Sequence, residues 1–172
     1  MRLAGGNAVL AVEGKVDETF GPRVGEWLAK APMTADPESG SGAPRDADRD
    51  ADRDADRAAN RAARLKALCA LLQVEPEAIM GLPYQLFHRT CAAIQEAKRF
   101  GYSRAAMLVH SFAGTPPSPA NRAGFAAFAI FAAAVGLPVT ESGTLSSARL
   151  YDGVELRLGW VPDRRSGKTG DA

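Results

Sequence analysis

Two charged side chains close an apolar run near the start of the chain. Residues 8–12 read Ala-Val-Leu-Ala-Val and lead into Glu13-Gly14-Lys15, with Asp17 and Glu18 close behind. On an extended strand, positions two apart face the same side, so the Glu13 carboxylate and the Lys15 amine emerge together. Asp17 joins them if the strand persists, and Glu18 faces the other way. Charges at the end of a buried strand are costly unless they are paired, metal-bound or catalytic. A carboxylate and an amine at this spacing suit phosphodiester hydrolysis. The carboxylate would hold a Mg²⁺ that polarises the phosphoryl oxygen and acidifies a bound water. The amine would position that water and offset the charge that develops. Glu13 and Lys15 are then the catalytic candidates, and Glu13 and Asp17 the metal ligands. The plain alternative is that Glu13, Lys15 and Asp17 point outwards from an edge strand as surface ion pairs worth under about 1 kcal/mol.

The elements that must position these residues follow from apolar spacing. The strand covers 8–16, preceded by a hairpin turn at Gly5-Gly6-Asn7, where positive backbone φ is required. Only Met1, Arg2 and Leu3 stand before that turn, so the strand is expected to lack full cover on one side. A short helix fits 23–31, with Val24, Trp27 and Leu28 at helical spacing. A longer one starts at Ala58 and runs to Leu72 or Gln73, with Leu65, Leu68, Cys69 and Leu72 on one stripe. Pro76 and Pro83 bracket a short turn or helix at 75–80. Tyr84, Phe87, Cys91 and Ile94 give the next helix, 82–100, its core face, and Gly101 ends it. The run Ala105–Phe112 reads as a central strand covered on both faces. Ser118-Pro119 opens a helix as N-cap and first residue, with Phe125, Phe128, Phe131 and Val135 inside it. Residues 145–161 alternate like paired strands around Asp152-Gly153. The order β-α-(insert)-α-α-β-α-β-β argues for an α/β domain over 1–161, with α+β as the variant reading.

Other reactive side chains carry weaker signals. His88 and Arg89 could contact phosphate, with the guanidinium as a charge-assisted donor. They read equally well as a charged helix surface with one core-edge histidine. His110 sits inside an apolar run with no second His or Cys at metal-ligand spacing, which makes it a core histidine. Ser111 lacks the glycines of a nucleophile elbow, and Gly5-Gly6 precedes a strand rather than a helix, so it forms no phosphate loop. The phenylalanines at 125–131 read as core and not as a base-stacking platform.

Composition excludes several classes. A net charge of +1 over 172 residues gives no global case for nucleic-acid binding, which would need a local basic patch. The most apolar segment, 123–137, is shorter than the roughly 18–20 residues a membrane span needs. No secretory signal precedes the first strand. Cys69 and Cys91 fall in helical patterns and read as buried free thiols, in keeping with a reducing cytoplasm. Residues 32–58 differ in kind. They are rich in Pro, Gly and Ser and then repeat Arg-Asp-Ala-Asp at 45–48, 49–52 and 53–56. A period of four is near the helical 3.6, but that repeat stacks like charges at i,i+4 and has no apolar residue larger than Ala, so a disordered or frayed insert is expected. The polar tail 162–172 is expected to be disordered as well.

Three motifs carry a resemblance: VEGKVDETFG at 12–21, LPYQLFHRT at 82–90 and AAMLVHSF at 105–112. Together they resemble an uncharacterised bacterial domain-of-unknown-function family. Through E-G-K that family is similar to the PD-(D/E)xK restriction-endonuclease-like superfamily, whose core is αβββαβ. The resemblance covers about residues 3–30 and 60–161 and implies a Mg²⁺-dependent nuclease fold. It implies Glu13 as metal-binding carboxylate and Lys15 as the water-orienting amine. Gln85 and His88 fall where related nucleases carry auxiliary residues on a following helix. The superfamily's Asp on the preceding strand has no counterpart, because no acidic residue stands before Glu13. The resemblance therefore implies a core lacking its N-terminal part, through a late start or a truncated copy. Two functions follow as expectations: phosphodiester hydrolysis once that Asp is supplied, or a non-catalytic binding or accessory module of the same fold.

Overall fold

In the computed structural model the described residues are 2–3, 6–29, 47–112 and 116–163. Strands β1 (Arg2–Leu3) and β2 (Gly6–Asn7) pair as a small antiparallel hairpin, with Arg2 opposite Asn7. Strand β3 (Val9–Lys15) follows, then helix α1 (Val24–Ala29). Helices α2 (Ala47–Leu72), α3 (Pro76–Ile79) and α4 (Tyr84–Arg99) lead to strand β4 (Arg104–Ser111). Helix α5 (Pro119–Ala134) and strands β5 (Arg149–Tyr151) and β6 (Val154–Pro162) complete the chain. The fold is α/β, with a mixed sheet in the order β3-β4-β6-β5. The pairs β3–β4 and β4–β6 are parallel and β5–β6 is antiparallel.

The expected helices and strands form because their apolar spacing closes one core. Phe87, Cys91 and Ile94 of α4 are buried against Leu68, Cys69 and Leu72 of α2 and against Met107 and Val109 of β4. Ser118 caps α5 by accepting the Asn121 N–H at 3.0 Å, as its Ser-Pro sequence requires. The Phe87 and Phe131 rings meet edge to face at 4.8 Å, which joins α4 and α5 in one layer. Trp160 of β6 meets Phe125 and Phe128 of α5 from below. Asp152 and Gly153 both adopt positive φ, and Tyr151 pairs with Val154 across that turn.

Three expectations change. Helix α2 begins at Ala47, so 47–58 is helical although the repeat argues for disorder. The i,i+4 repulsion is offset by opposite charges at i,i+3, as between Arg57 and Asp54 at 3.2 Å. The alanines propagate a helix nucleated by its packed end at Leu65–Leu72. Residues 52–64 bury no side chain in the core, and the remainder of the expected insert, 32–46, lies outside the described residues. Second, β4 is central but not covered on both faces. Its burial alternates, with Ala105, Met107, Val109 and Ser111 inside and His110 half-exposed on the other face against Phe112, ring to ring at 4.2 Å. The helices serve only one side of the sheet. Third, the strand at the C-terminus includes Pro162, and Asp163 N–H donates to Ser111 C=O at 2.6 Å. The rest of the expected tail, 164–172, lies outside the described residues.

Candidate functional site

Alternation along β3 decides where its charges go. Val9 and Ala11 face the helices and pack on the core, so Glu13 and Lys15 must face them too. Both are buried, with 7% and 6% of their surface exposed. The reading of outward surface ion pairs therefore does not hold for these two residues. They lie at the C-terminal end of β3, opposite Val109 and Ser111 of β4, and Phe112 N–H donates to Lys15 C=O at 2.7 Å.

Helix α4 lies over this end of the sheet and supplies two more side chains one turn apart, Gln85 and Arg89. The Gln85 amide Nε2 donates to Glu13 Oε1, and Lys15 Nζ donates to Gln85 Oε1 at 3.3 Å. Lys15 Nζ also lies 3.4 Å from Glu13 Oε1 and donates to Thr19 C=O at 3.0 Å. It sits 4.9 Å from the Phe20 ring centroid. Arg89 Nε donates to Glu13 Oε2 at 3.0 Å. The ammonium thus donates to two oxygens and pairs with the carboxylate, and the carboxylate has a donor on each oxygen. One anion stands between two cations, bridged by an amide. Glu13, Lys15 and Gln85 come together as the sequence motifs suggest, and Arg89 joins them. Sequence spacing singled out Arg89 only as a phosphate donor; its position one helical turn after Gln85 was the available signal for a shared face.

Asp17 and His88 stand apart from this cluster. Ser118 Oγ donates to Asp17, and Asn121 Nδ2 donates to Ser111 Oγ at 2.7 Å and to Val16 C=O at 3.4 Å. This second network ties the ends of β3 and β4 to the start of α5, with Ser111 and Asn121 buried. Sequence reading missed Asn121; its place three residues after a Ser-Pro cap gave no chemical signal. Glu18 turns back to accept the Val16 N–H at 2.9 Å, and that backbone hydrogen bond holds its carboxyl below the usual range. His88 stacks beside Tyr84, centroids 6.0 Å apart, and Tyr84 stacks on Trp27 at 3.9 Å. Burial lowers the His88 pKa, and the charges of Arg64 and Arg89 lower it further.

A Mg²⁺ centre requires oxygen donors that are open and anionic. Glu13 offers one carboxylate whose two oxygens already accept from Gln85, Lys15 and Arg89. Asp17 is engaged by Ser118. Among the described residues no group of three His, Cys, Asp or Glu side chains is arranged to hold a metal ion. The described residues do not by themselves fit the divalent ion. The cluster carries one negative and two positive charges, and that excess suits an anion. The Arg89 side chain is 48% exposed and uses only Nε on Glu13 among the described hydrogen bonds. Arg57, Arg61 and Arg64 recur at i, i+4 and i+7 along α2, and no carboxylate follows Asp56 before Glu75. Arg61 Nε is buried and has no hydrogen-bond partner among the described residues. A cleft of about 440 Å³, lined in part by Asp17, Thr19, Phe20 and Arg23, meets the cluster at Thr19 and Phe20.

The sequence matches the family described as Domain of unknown function (DUF6946) over residues 1–165, and the chain belongs to that family. No curated protein and no solved structure gives a match.

Proposed function

We propose that this family member is a nuclease-like domain that handles nucleic-acid phosphates at the Glu13–Lys15–Gln85–Arg89 cluster. The observation that carries the reading is the convergence of an E-x-K pair from β3 with Gln85 of α4, Lys15 Nζ lying 3.4 Å from Glu13 and 3.3 Å from Gln85, and Arg89 of the same helix 3.0 Å from Glu13. Arg89 presents the outer face of that cluster, and the Arg57, Arg61 and Arg64 stripe lies on neighbouring α2. Charge-assisted hydrogen bonds from guanidinium groups are the strong, bidentate way to hold phosphate oxygens. Glu13 acts here by positioning: it fixes Lys15 and Arg89 so that the cations converge. In this arrangement the domain binds a phosphodiester backbone as an accessory module.

A second reading, metal-dependent hydrolysis, draws on the same E-x-K-Gln geometry. It needs Glu13 released from Arg89 and a further carboxylate beside it, so no step is derived through a metal here. The test is one pair of assays on the same protein. Labelled single- and double-stranded DNA and RNA are titrated by fluorescence anisotropy without metal, then incubated with Mg²⁺ or Mn²⁺ and run on a gel. Binding without cleavage, weakened in Arg89→Ala and Arg64→Ala, supports the accessory reading. Cleavage lost in Glu13→Gln and Lys15→Ala supports hydrolysis. Neither binding nor cleavage refutes both.

A further inference from the structure

Strand β3 is an edge of the sheet, and its edge is unusual. Lys15 C=O accepts from Phe112, the residue after β4, so the backbone groups of Val9, Ala11, Glu13 and Lys15 turn towards β4. Alternation turns those of Leu10, Val12 and Gly14 outwards. Among the described residues no strand pairs with that side. Exposed edges are usually blunted by charge, proline, a bulge or short length. Here the three outward residues are apolar or glycine on a seven-residue strand. Leu10 and Val12 are 37% and 51% exposed on the uncovered sheet face, where Phe112 and Val161 are also exposed. A parallel α/β sheet normally buries such a face.

We infer that this edge and face are the interface of a homodimer, formed by antiparallel pairing of β3 with β3 of a second copy about Val12. Among the described residues no other strand takes this place. A second copy does suit it. Centring a two-fold on Val12 sets Leu10 opposite the partner's Gly14 and Val12 opposite the partner's Val12. All three outward residues of each copy then pair. Centring on Gly14 instead would require the Val16 N–H, which Glu18 already holds at 2.9 Å. The Val12 register places Glu13 opposite the partner's Ala11 and Lys15 opposite the partner's Val9, so no like charges stand directly opposed. Each Glu13 is already neutralised by Lys15 and Arg89. Leu10 of one copy then lies beside Gly14 of the other, where the Phe112 ring that covers Gly14 offers it an apolar neighbour. Two four-stranded sheets become one of eight strands.

The test measures mass and amide exchange on the whole chain. Light scattering across a hundredfold concentration range should give a dimer at the high end that dissociates on dilution, and Val12→Lys should remain monomeric throughout. A monomer at every concentration, or a Val12→Lys protein that dimerises as well as the parent, overturns the inference. Hydrogen exchange on the parent protein keeps the test independent of any folding defect in the variant. The amides of Leu10, Val12 and Gly14 should gain protection as concentration rises, while those of Ala11, Glu13 and Lys15 stay protected at all concentrations. Amides at 10, 12 and 14 that exchange freely at high concentration overturn it equally.

Discussion

Removing either member of the Glu13–Lys15 pair breaks the same contact, yet the two removals should differ sharply in cost. In Glu13→Gln the Lys15 ammonium keeps only neutral acceptors, Thr19 C=O at 3.0 Å and Gln85 Oε1 at 3.3 Å. Its side chain is 7% exposed, so water cannot replace the lost anion. A buried charge stripped of its partner costs about 3–5 kcal/mol, and the two remaining carbonyls place this case at about 3 kcal/mol. In Lys15→Met the Glu13 carboxylate keeps Arg89 at 3.0 Å and the Gln85 amide, and methionine fills the space of the lysine stem. That loss should be about 1 kcal/mol. The double variant removes both charges and should fall by about 1 kcal/mol as well, giving a coupling near 3 kcal/mol, beyond the usual limit of additivity. Urea unfolding at pH 7 of the parent, both single variants and the double variant measures all four terms. Equal losses in the two single variants would refute the reasoning. So would a double variant whose loss is the sum of the two.

Other outcomes follow from single contacts. Gly159→Ala should destabilise the sheet by about 1 kcal/mol, because a Cβ there displaces the Leu145 and Leu108 Cδ2 methyls and meets the Thr144 C=O at 3.2 Å; thermal melting reads the loss. His88 is held below its ordinary pKa of 6.5, so the unfolded chain binds the proton more readily than the folded one. Stability should therefore decline as pH falls below 6.5, and His88→Gln should flatten that part of the pH–stability curve. Burial pushes the Cys91 thiol up to about 12 and raises that of Cys69 too, so neither should react with a thiol reagent at pH 8 until the protein unfolds. Mass spectrometry after iodoacetamide treatment, with and without urea, checks this.

Much of this architecture was legible because periodicity and caps act locally. The α4 face of Phe87, Cys91 and Ile94 is buried as its spacing required, and Ser118 caps α5 where Ser-Pro predicted. The Asp152-Gly153 turn is likewise fixed by two positive-φ positions. Long-range facts were less legible. The apolar run at β4 could not reveal that helices cover one face only, since a half-covered strand with apolar residues on both faces reads like a buried one. The helix over the Arg-Asp repeat is not legible from the i,i+4 repulsion alone, because the i,i+3 attractions and the packed end at Leu65–Leu72 act with it. Glu13 and Lys15 were found by type and spacing, but spacing could not say that Arg89 completes their charge balance. Asp17 was grouped with them by alternation, yet the strand ends at Lys15 and the bend sends Asp17 to Ser118.

The cluster at the end of β3 is proposed to contact nucleic-acid phosphate through Arg89. The salt dependence of oligonucleotide binding tests it most directly, because each lost phosphate contact lowers the slope of log K against log [salt] by about 0.7–0.9. Arg89→Ala should weaken binding to all sequences alike and reduce the slope by about that amount. A parent protein that binds no oligonucleotide at low salt, or an Arg89→Ala protein with unchanged affinity and slope, would contradict it.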